Sequence, residues 1–346
     1  MGNVASLPTK ALSAARESKV ALVAERMASH DWLVMVQLLV LLALTIRGEG
    51  AAKPLAIAFL GFDVLWFGGV LAYVRSSERI SAIPAMVYRL TLVGAIVAVY
   101  VQLRWILPVI GQHSLDAELY ALDLRLFGVE PAMAFDGVVS TPATEWFSFF
   151  YYSYFFLLAL FALPIAVAFE DGPVLRDFGL GLLSLYCIGH LVYVLVPGFG
   201  PYVHLDVFEN RLDGPVFWPL VRDMVASAGA GKDIFPSLHT AAPLFLTLFA
   251  FRHRKRTPFN YVWPVMAFFA SQIILATMYL RWHWMIDVIA GATLAVGASV
   301  LVPRITAREA RHRAAHGLPA AFPESPVATW LAKRKPPRMA CATAQR

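Results

Sequence analysis

Long, uninterrupted apolar blocks restrict the fold of this chain more than any other feature of its sequence. Eight such blocks lie at about 32–46, 55–74, 90–110, 146–169, 178–197, 237–251, 261–280 and 284–302. A hydrocarbon core about 30 Å thick is crossed by a helix of roughly 20 apolar residues. The blocks are apolar on all sides, and a spanning segment must satisfy its own backbone hydrogen bonds, which favours helices over β-barrel strands. We therefore predict an all-α, polytopic membrane protein with about eight transmembrane helices.

The composition agrees with this interpretation, because 59% of the residues are hydrophobic and 15% are charged. Soluble domains are nearer half apolar and a quarter charged. The net charge of +6 is explained by basic loops that lie in the cytoplasm, so no nucleic-acid partner is predicted. Cys187 lies in an apolar block and Cys341 in the basic tail, which excludes a disulfide framework. The first block follows a polar leader and is interpreted as a transmembrane helix rather than a cleaved signal.

The distribution of Lys and Arg predicts the orientation of the spans. The loop 252–256 and the tail after Pro303 are strongly basic, so we place both in the cytoplasm. The connection 111–145 carries Arg125 as its basic residue among several acids, so we place it outside. Eight spans then put both termini in the cytoplasm, and the loop 198–236 lies on the periplasmic or lumenal side.

The first motif with reactive side chains is Phe-Pro-Ser-Leu-His-Thr at 235–240, where the outer loop enters the sixth block. Proline is tolerated at the start of a helix, because that position needs no backbone N–H. A helix N-terminus carries partial positive charge and free N–H groups, which suit a phosphate. His239 is predicted to lie in the first turn, close to such an anion.

The second motif is Tyr-Leu-Arg-Trp-His-Trp-Met-Ile-Asp at 279–287. His283 and Asp287 are four residues apart, so they share one face of a helix. A carboxylate in that position fixes the tautomer of the ring and makes the other ring nitrogen a better nucleophile or base. An acid inside an apolar helix is costly and is typical of a functional site.

Three alternatives apply to these motifs. The Trp-His-Trp run is also typical of an aromatic belt at the membrane surface. Histidine and aspartate bind zinc, although only three such ligands are evident here, and we predict no metal site. A His/Asp cluster also serves as a proton relay in transporters or belongs to a lipid-binding protein that is not an enzyme. Transport would predict inverted repeats with broken helices, which the sequence does not show.

Together the motifs resemble those of the type 2 phosphatidic acid phosphatase superfamily, which has Pro-Ser-x-His followed by Ser-Arg-x5-His-x3-Asp. The run 236–239 matches the first motif, and His283 with Asp287 matches the core of the second. The first motif has Leu238 in place of the usual glycine, and in this it is most similar to the branch that contains the fungal inositol phosphorylceramide synthases. The resemblance implies a six-helix catalytic core over residues 90–302. The leader 1–31 and two additional helices at 32–89 precede this core.

The resemblance implies a mechanism without metal or cofactor. His283 would be the nucleophile that forms a phosphohistidine, Asp287 would orient it, and His239 would protonate the departing alkoxide. The expected substrate is a phospholipid or a lipid phosphate. The first expectation is a headgroup transferase like inositol phosphorylceramide synthase. The alternative is a lipid phosphate phosphatase acting on phosphatidate or a polyprenyl diphosphate, in which water rather than a lipid hydroxyl attacks the phosphohistidine.

Two departures from the family pattern concern the phosphate. The family arginine six residues before the nucleophile falls on Thr277, and the Lys-x6-Arg-Pro motif is absent from the run 195–202. The predicted substrate-binding residues are therefore others on the outer face: Arg281, Ser237, Lys232 and Arg104. The missing basic pair favours a phosphodiester donor, which carries less charge than a phosphomonoester. The segment 303–346, rich in Ala, Arg and Pro, is predicted to be a largely disordered cytoplasmic tail.

Overall fold

The computed structural model describes residues 19–111, 113–227 and 231–334. Within these ranges the regular secondary structure is helical, apart from an isolated parallel bridge between Gly198 and Asp233. The main helices are, in chain order, α1 (Ser29–Arg47), α2 (Lys53–Ser76), α3 (Ala82–Ile110), α4 (Asp116–Phe127), α5 (Thr141–Ala168), α6 (Pro173–Leu195), α7 (Phe217–Ser227), α8 (Leu238–Arg252), α9 (Phe259–Tyr279), α10 (Met285–Ala315) and α11 (Pro326–Arg334). The predicted all-α fold is confirmed.

Seven of the described helices are long and apolar enough to cross a membrane, namely α1, α2, α3, α5, α6, α9 and α10. The remaining predicted span, the sixth block at 237–251, corresponds to α8, an apolar helix of 15 residues. The outward faces of these helices are apolar, since Leu65, Leu160 and Leu195 are each at least 70% exposed. Such surfaces are stable in lipid but not in water. The chain is therefore a multi-pass integral membrane protein.

The short helix α8 lies inside the bundle, where it packs against α6, α9, α10 and α5. Its first turn contacts α10 at Gly291. A Cβ atom at Gly291 would lie 2.3 Å from the carbonyl oxygen of Ser237, so only glycine permits this approach. Small residues at helix contacts allow backbones to come close in a membrane bundle. The N-termini of α8 and α10, which carry the two motifs, are thereby held side by side.

The described part of the C-terminal segment is ordered, which differs from the prediction for 303–346. The helix α10 continues through Pro303 to Ala315, and α11 follows. Between them, Arg89 donates to the carbonyl oxygen of Pro323, and Phe322 is buried. Composition alone did not reveal that buried arginines of the bundle bind the backbone of this segment. Residues 335–346 lie outside the described residues.

Candidate active site

The two sequence motifs meet at one end of the bundle. Ser237 caps α8 by accepting a hydrogen bond from the backbone N–H of Thr240 at 3.2 Å. The backbone N–H of Ser237 donates to the carbonyl oxygen of Asp287 at 3.0 Å, which ties the start of α8 to the first turn of α10. As a result, the rings of His239 and His283 lie side by side, tilted at 51° with centroids 6.0 Å apart. The structure thus brings together the three predicted catalytic residues.

His283 and Asp287 form a buried pair, with 3.3 Å between Nδ1 and Oδ2. The same oxygen accepts the backbone N–H of Trp284 at 3.0 Å, which fixes the carboxylate. With Asp287 accepting, Nδ1 carries the proton and Nε2 keeps its lone pair. Burial lowers the pKa of His283 to about 3, against the opposite effect of the nearby Ile234 carbonyl. The ring is therefore uncharged at neutral pH, as a nucleophile must be.

His239 is held by aromatic side chains of α5. Its ring stacks on Tyr151 at 4.4 Å and packs against Tyr154 at 4.2 Å between centroids. The hydroxyl of Tyr154 is in turn hydrogen-bonded to that of Tyr186 at 2.6 Å. Within the described part of the chain, Nε2 of His239 is buried without a hydrogen-bond partner. A substrate oxygen would satisfy this nitrogen, and the aromatic contacts fix its direction.

Asp116, which the sequence analysis did not select, organises the loop after α6. Its carboxylate accepts the backbone N–H groups of Phe199 and Gly200, both at 2.8 Å, and Nε1 of Trp284 at 2.9 Å. Gly200 has a φ of +93°, and a Cβ atom there would lie 2.4 Å from the carbonyl oxygen of Trp282. The loop therefore lies directly against the segment that carries His283.

A second acid from α4 supports the helix that carries Asp287. The carboxylate of Asp123 accepts the backbone N–H groups of Met285 at 2.7 Å and Ile286 at 3.0 Å. These are two of the N–H groups that lack a partner within a helix at its N-terminus. Asp123 gave no local signal in the sequence, because its partners are about 160 residues further along the chain.

A pocket with polar groups in its wall lies over the two histidines and has about 440 Å³ of empty space, which includes space open to solvent. It is lined by Tyr100, Tyr151, Phe199, Tyr202, Val225, Gly231, Asp233, Ile234, His239, Trp282 and His283. Burial raises the pKa of Asp233 to about 6, against the opposing effect of the backbone N–H groups of Asp233 itself and Gly231. Among the described lining residues there is no Lys or Arg. The sequence did not lead us to predict Asp233 as a site residue, although it lies two residues before the first motif.

A larger, apolar groove continues from this pocket into the bundle, with about 1030 Å³ of empty space. It shares Tyr100, Asp233 and His239 with the pocket, and its walls come from α3, α5 and α6. Val97 and Leu163 line the groove and are 56% and 46% exposed on the outer surface of the bundle. The groove therefore reaches the surface that faces lipid, and its walls suit a hydrocarbon chain.

The family model described as the PAP2 superfamily matches residues 117–301, which is more than half of the chain. The chain belongs to the PAP2 superfamily. The match does not distinguish among branches, so the inositol phosphorylceramide synthase branch stays a prediction. Membership supports an enzyme of the lipid phosphatase or phosphotransferase class. His239, His283 and Asp287 all lie within the matched region.

A PA-phosphatase related-family protein of Dictyostelium discoideum is 28% identical over 127 residues. The aligned part covers 35% of this chain and 22% of that protein, so the chain spans about a fifth of the relative's length. No solved structure matches the chain at a significant level.

The arginine proposed from sequence to replace the missing PAP2 arginine does not line the pocket. The guanidinium of Arg281 donates to the carboxylate of Asp136 at 2.7 Å and to the carbonyl oxygen of Asn210 at 2.5 Å. It also lies over the ring of Phe208 at 3.9 Å. These contacts give Arg281 a role in holding the outer loop.

The other three predicted substrate-binding residues also have local contacts and do not appear on the pocket wall. Arg104 is exposed and donates to the carbonyl oxygen of Ser227 at 3.1 Å. Lys232 donates to the carbonyl oxygen of Gly111 at 3.3 Å. Ser237 is fully buried as the cap of α8. Across the described ranges, no group of three or more His, Cys, Asp or Glu side chains is arranged to hold a metal ion.

Proposed function

We propose that this PAP2 protein is a lipid phosphotransferase that moves a phospho-headgroup from a phospholipid to the hydroxyl of another lipid through a phosphohistidine on His283. The observation that carries the proposal is the position of His239 and His283. Their rings are 6.0 Å apart, and His239 lines both the polar pocket and the apolar groove. A phospholipid has this same division between a polar head and apolar chains.

In the first step, Nε2 of His283 attacks the phosphorus, and a nitrogen–phosphorus bond forms. The bond between phosphorus and the glycerol oxygen breaks, and the departing alkoxide takes a proton from His239 in its protonated form. Diacylglycerol leaves, and the phospho-headgroup stays on His283. Asp287 stabilises the positive charge that develops on the ring during attack.

In the second step, the hydroxyl of the acceptor lipid attacks the phosphorus and gives its proton to His239. The nitrogen–phosphorus bond breaks, which returns His283 to its uncharged form and His239 to its protonated form. The sum of both steps converts donor lipid and lipid alcohol into diacylglycerol and a new phospholipid. Trp282 lines the pocket with an Nε1–H that has no partner among the described residues, so it is placed to donate to a phosphoryl oxygen.

The charge of the pocket favours a phosphodiester over a phosphomonoester. A phosphomonoester carries about −1.5 to −2 charges at neutral pH, whereas a phosphodiester carries one. The described lining residues of the pocket include Asp233 and no Lys or Arg. The side chains of this wall would therefore neutralise the charge of a phosphomonoester poorly. The phosphatase alternative is favoured by the name of the Dictyostelium relative, a PA-phosphatase related-family protein. It differs in that water replaces the lipid hydroxyl in the second step.

The test is turnover by the purified full-length protein in mixed micelles that contain a diacyl phospholipid and a lipid alcohol. Both free phosphate and new phospholipid are measured. We expect new phospholipid without release of phosphate. His283→Ala should lower the rate at least about a thousandfold, and His239→Ala about a hundredfold. His316→Ala is the matched control, because His316 is an exposed histidine at the opposite end of α10.

Two results would count against the proposal. Release of phosphate from phosphatidate without headgroup transfer would support the phosphatase instead. Full activity in His283→Ala would reject the histidine mechanism and reopen the transporter or lipid-binding alternatives.

A further inference from the structure

The pocket beside the two histidines has a largely aromatic wall. Its aromatic members come from α3, α5 and two different loops: Tyr100, Tyr151, Phe199, Tyr202 and Trp282. The rings of Tyr202 and Trp282 are 5.0 Å apart at 57°, and those of Tyr151 and Trp282 are 6.3 Å apart. Because the rings come from separate elements, they border the space on several sides.

A carboxylate completes this wall. Asp233 is the acid among the described lining residues. Burial, and then the negative charges of Asp233 and Asp116, raise the pKa of the Tyr202 hydroxyl, so Asp233 and Tyr202 influence each other across the pocket. His283 is uncharged at neutral pH. The nearby Arg281 is bound to Asp136 and Asn210 rather than directed at Asp233.

An acid is unfavourable in a pocket that must hold a phosphate, unless the ligand also brings a positive charge. Two negative groups in a partly buried site repel each other strongly. A cation is attracted to the faces of Tyr and Trp rings, and rings with a carboxylate are a common way to bind substituted ammonium groups. A ligand that carries both a phosphate and an ammonium group would therefore satisfy Asp233 and the aromatic wall together.

We infer that this pocket binds the alkylammonium headgroup of a zwitterionic phospholipid, a choline or ethanolamine phosphodiester, with the ammonium group between the aromatic rings and the carboxylate of Asp233. The inference rests on the proposed function, because it names the donor of that reaction. The phosphate then lies beside His239 and His283, and the acyl chains lie in the groove that also contacts Tyr100 and Asp233. The uncharged inositol headgroup of the branch that the sequence resembles would bring no ammonium group to Asp233 and the aromatic wall.

The experiment measures binding separately from turnover. Full-length His283→Ala protein in maltoside micelles is titrated calorimetrically with dihexanoyl phosphatidylcholine, phosphatidylethanolamine, phosphatidylglycerol and phosphatidate. We expect the two ammonium lipids to bind at least about tenfold more tightly than the two anionic lipids. Asp233→Asn should weaken phosphatidylcholine binding by about tenfold or more and leave phosphatidylglycerol binding unaffected or improved.

Matched controls separate the pocket from the rest of the surface. Asp223→Asn changes an exposed acid on α7 and should leave all four affinities as they were. Tyr202→Leu should weaken phosphatidylcholine binding by about twofold to thirtyfold, whereas Tyr261→Leu, at a tyrosine that is 71% exposed, should not. The comparison of headgroups within one protein does not depend on the folding of any Asp233 variant.

The outcomes also distinguish this inference from the proposed function. Equal or tighter binding of phosphatidylglycerol or phosphatidate would overturn the inference, even if the wild-type protein transfers headgroups. Preferential binding of the ammonium lipids without any turnover by the wild-type protein would retain the inference and reject the transferase.

Discussion

At the scale of single residues, the site combines an uncharged histidine with an acid of the pocket wall that is ionised near neutral pH. His283 is buried, paired with Asp287, and uncharged over the whole physiological range. Asp233, by contrast, has a pKa raised to about 6 by burial. A buried acid in a pocket wall is typical of a functional site, because burial of its charge opposes folding.

Binding of the ammonium lipid should therefore depend on pH through Asp233. Above about pH 6 the carboxylate is ionised, and below it the carboxylate gains a proton. We expect the affinity of His283→Ala protein for phosphatidylcholine to fall by about tenfold between pH 7.5 and 5. Because folding raises the pKa of Asp233 above its ordinary value, the ionised carboxylate lowers stability near neutral pH, so Asp233→Asn should not lower the Tm at pH 7.5.

The control for this prediction concerns the other groups that face Asp233. Tyrosine hydroxyls ordinarily titrate near pH 10, so those at 100, 151, 193 and 202 stay protonated in this range, and His283 stays uncharged. His239 is the other group that faces the pocket. A pH dependence that persists in Asp233→Asn would assign the effect to His239 and contradict the role given to Asp233.

At the scale of elements, the catalytic geometry depends on how loops hold the start of α10. Asp123 of α4 caps that helix, and Asp116 fixes the loop that lies on Trp282. Gly200 makes this contact possible through its positive φ and its lack of a side chain. The segment of His283 is thereby held from both sides, so a small change in the loop would move the proposed nucleophile.

Gly200→Ala should lower the transfer rate by at least about tenfold and also lower the Tm. The new Cβ atom would lie 2.4 Å from the carbonyl oxygen of Trp282, so the loop must move away. Gly128→Ala is the matched control: its φ of +76° carries similar strain, about 1–2 kcal/mol, but no heavy atom lies within 4 Å of its Cβ position. Equal activity of the two variants would show that strain alone matters and that the loop contact does not position His283.

At the scale of the whole molecule, charge is divided between the two ends of the bundle. Arg75, Arg89 and Arg313 lie together at the end where the C-terminal segment docks, and each donates to backbone carbonyl oxygens there. The pocket lies at the other end, among acids of α4 and the following loops. By the rule that basic loops stay in the cytoplasm, we expect the pocket to face the periplasm or a lumen.

Labelling of single cysteines should confirm this orientation. In a Cys341→Ser background, Asp206→Cys near the pocket should react with a membrane-impermeant maleimide in intact cells. Arg254→Cys, in the loop between α8 and α9, should react only after the membrane is permeabilised. Cys187 is fully buried and should not react in either state. The reverse pattern would place the active site in the cytoplasm.

The sequence by itself determined the approximate position of the apolar helices and the identity of the His239, His283 and Asp287 cluster. Both follow from local patterns: a helix needs a continuous run of apolar residues, and a helical i, i+4 pair can be recognised from its spacing. Of the eight predicted spans, seven are described helices long enough to cross a membrane, and the other is the 15-residue helix α8. The structure confirmed the spans within a few residues at most boundaries. It also placed the three site residues together, while their catalytic roles stay a prediction.

Only the tertiary structure decided what surrounds that cluster. The predicted ligands Arg281, Arg104, Lys232 and Ser237 bind parts of the protein itself. The described pocket wall is instead largely aromatic, and its acid is Asp233. The tail is held by Arg89 through a contact that joins residues 234 positions apart. A side chain's role in such contacts depends on which partner the fold brings to it, and partners so distant along the chain leave no local pattern in the sequence.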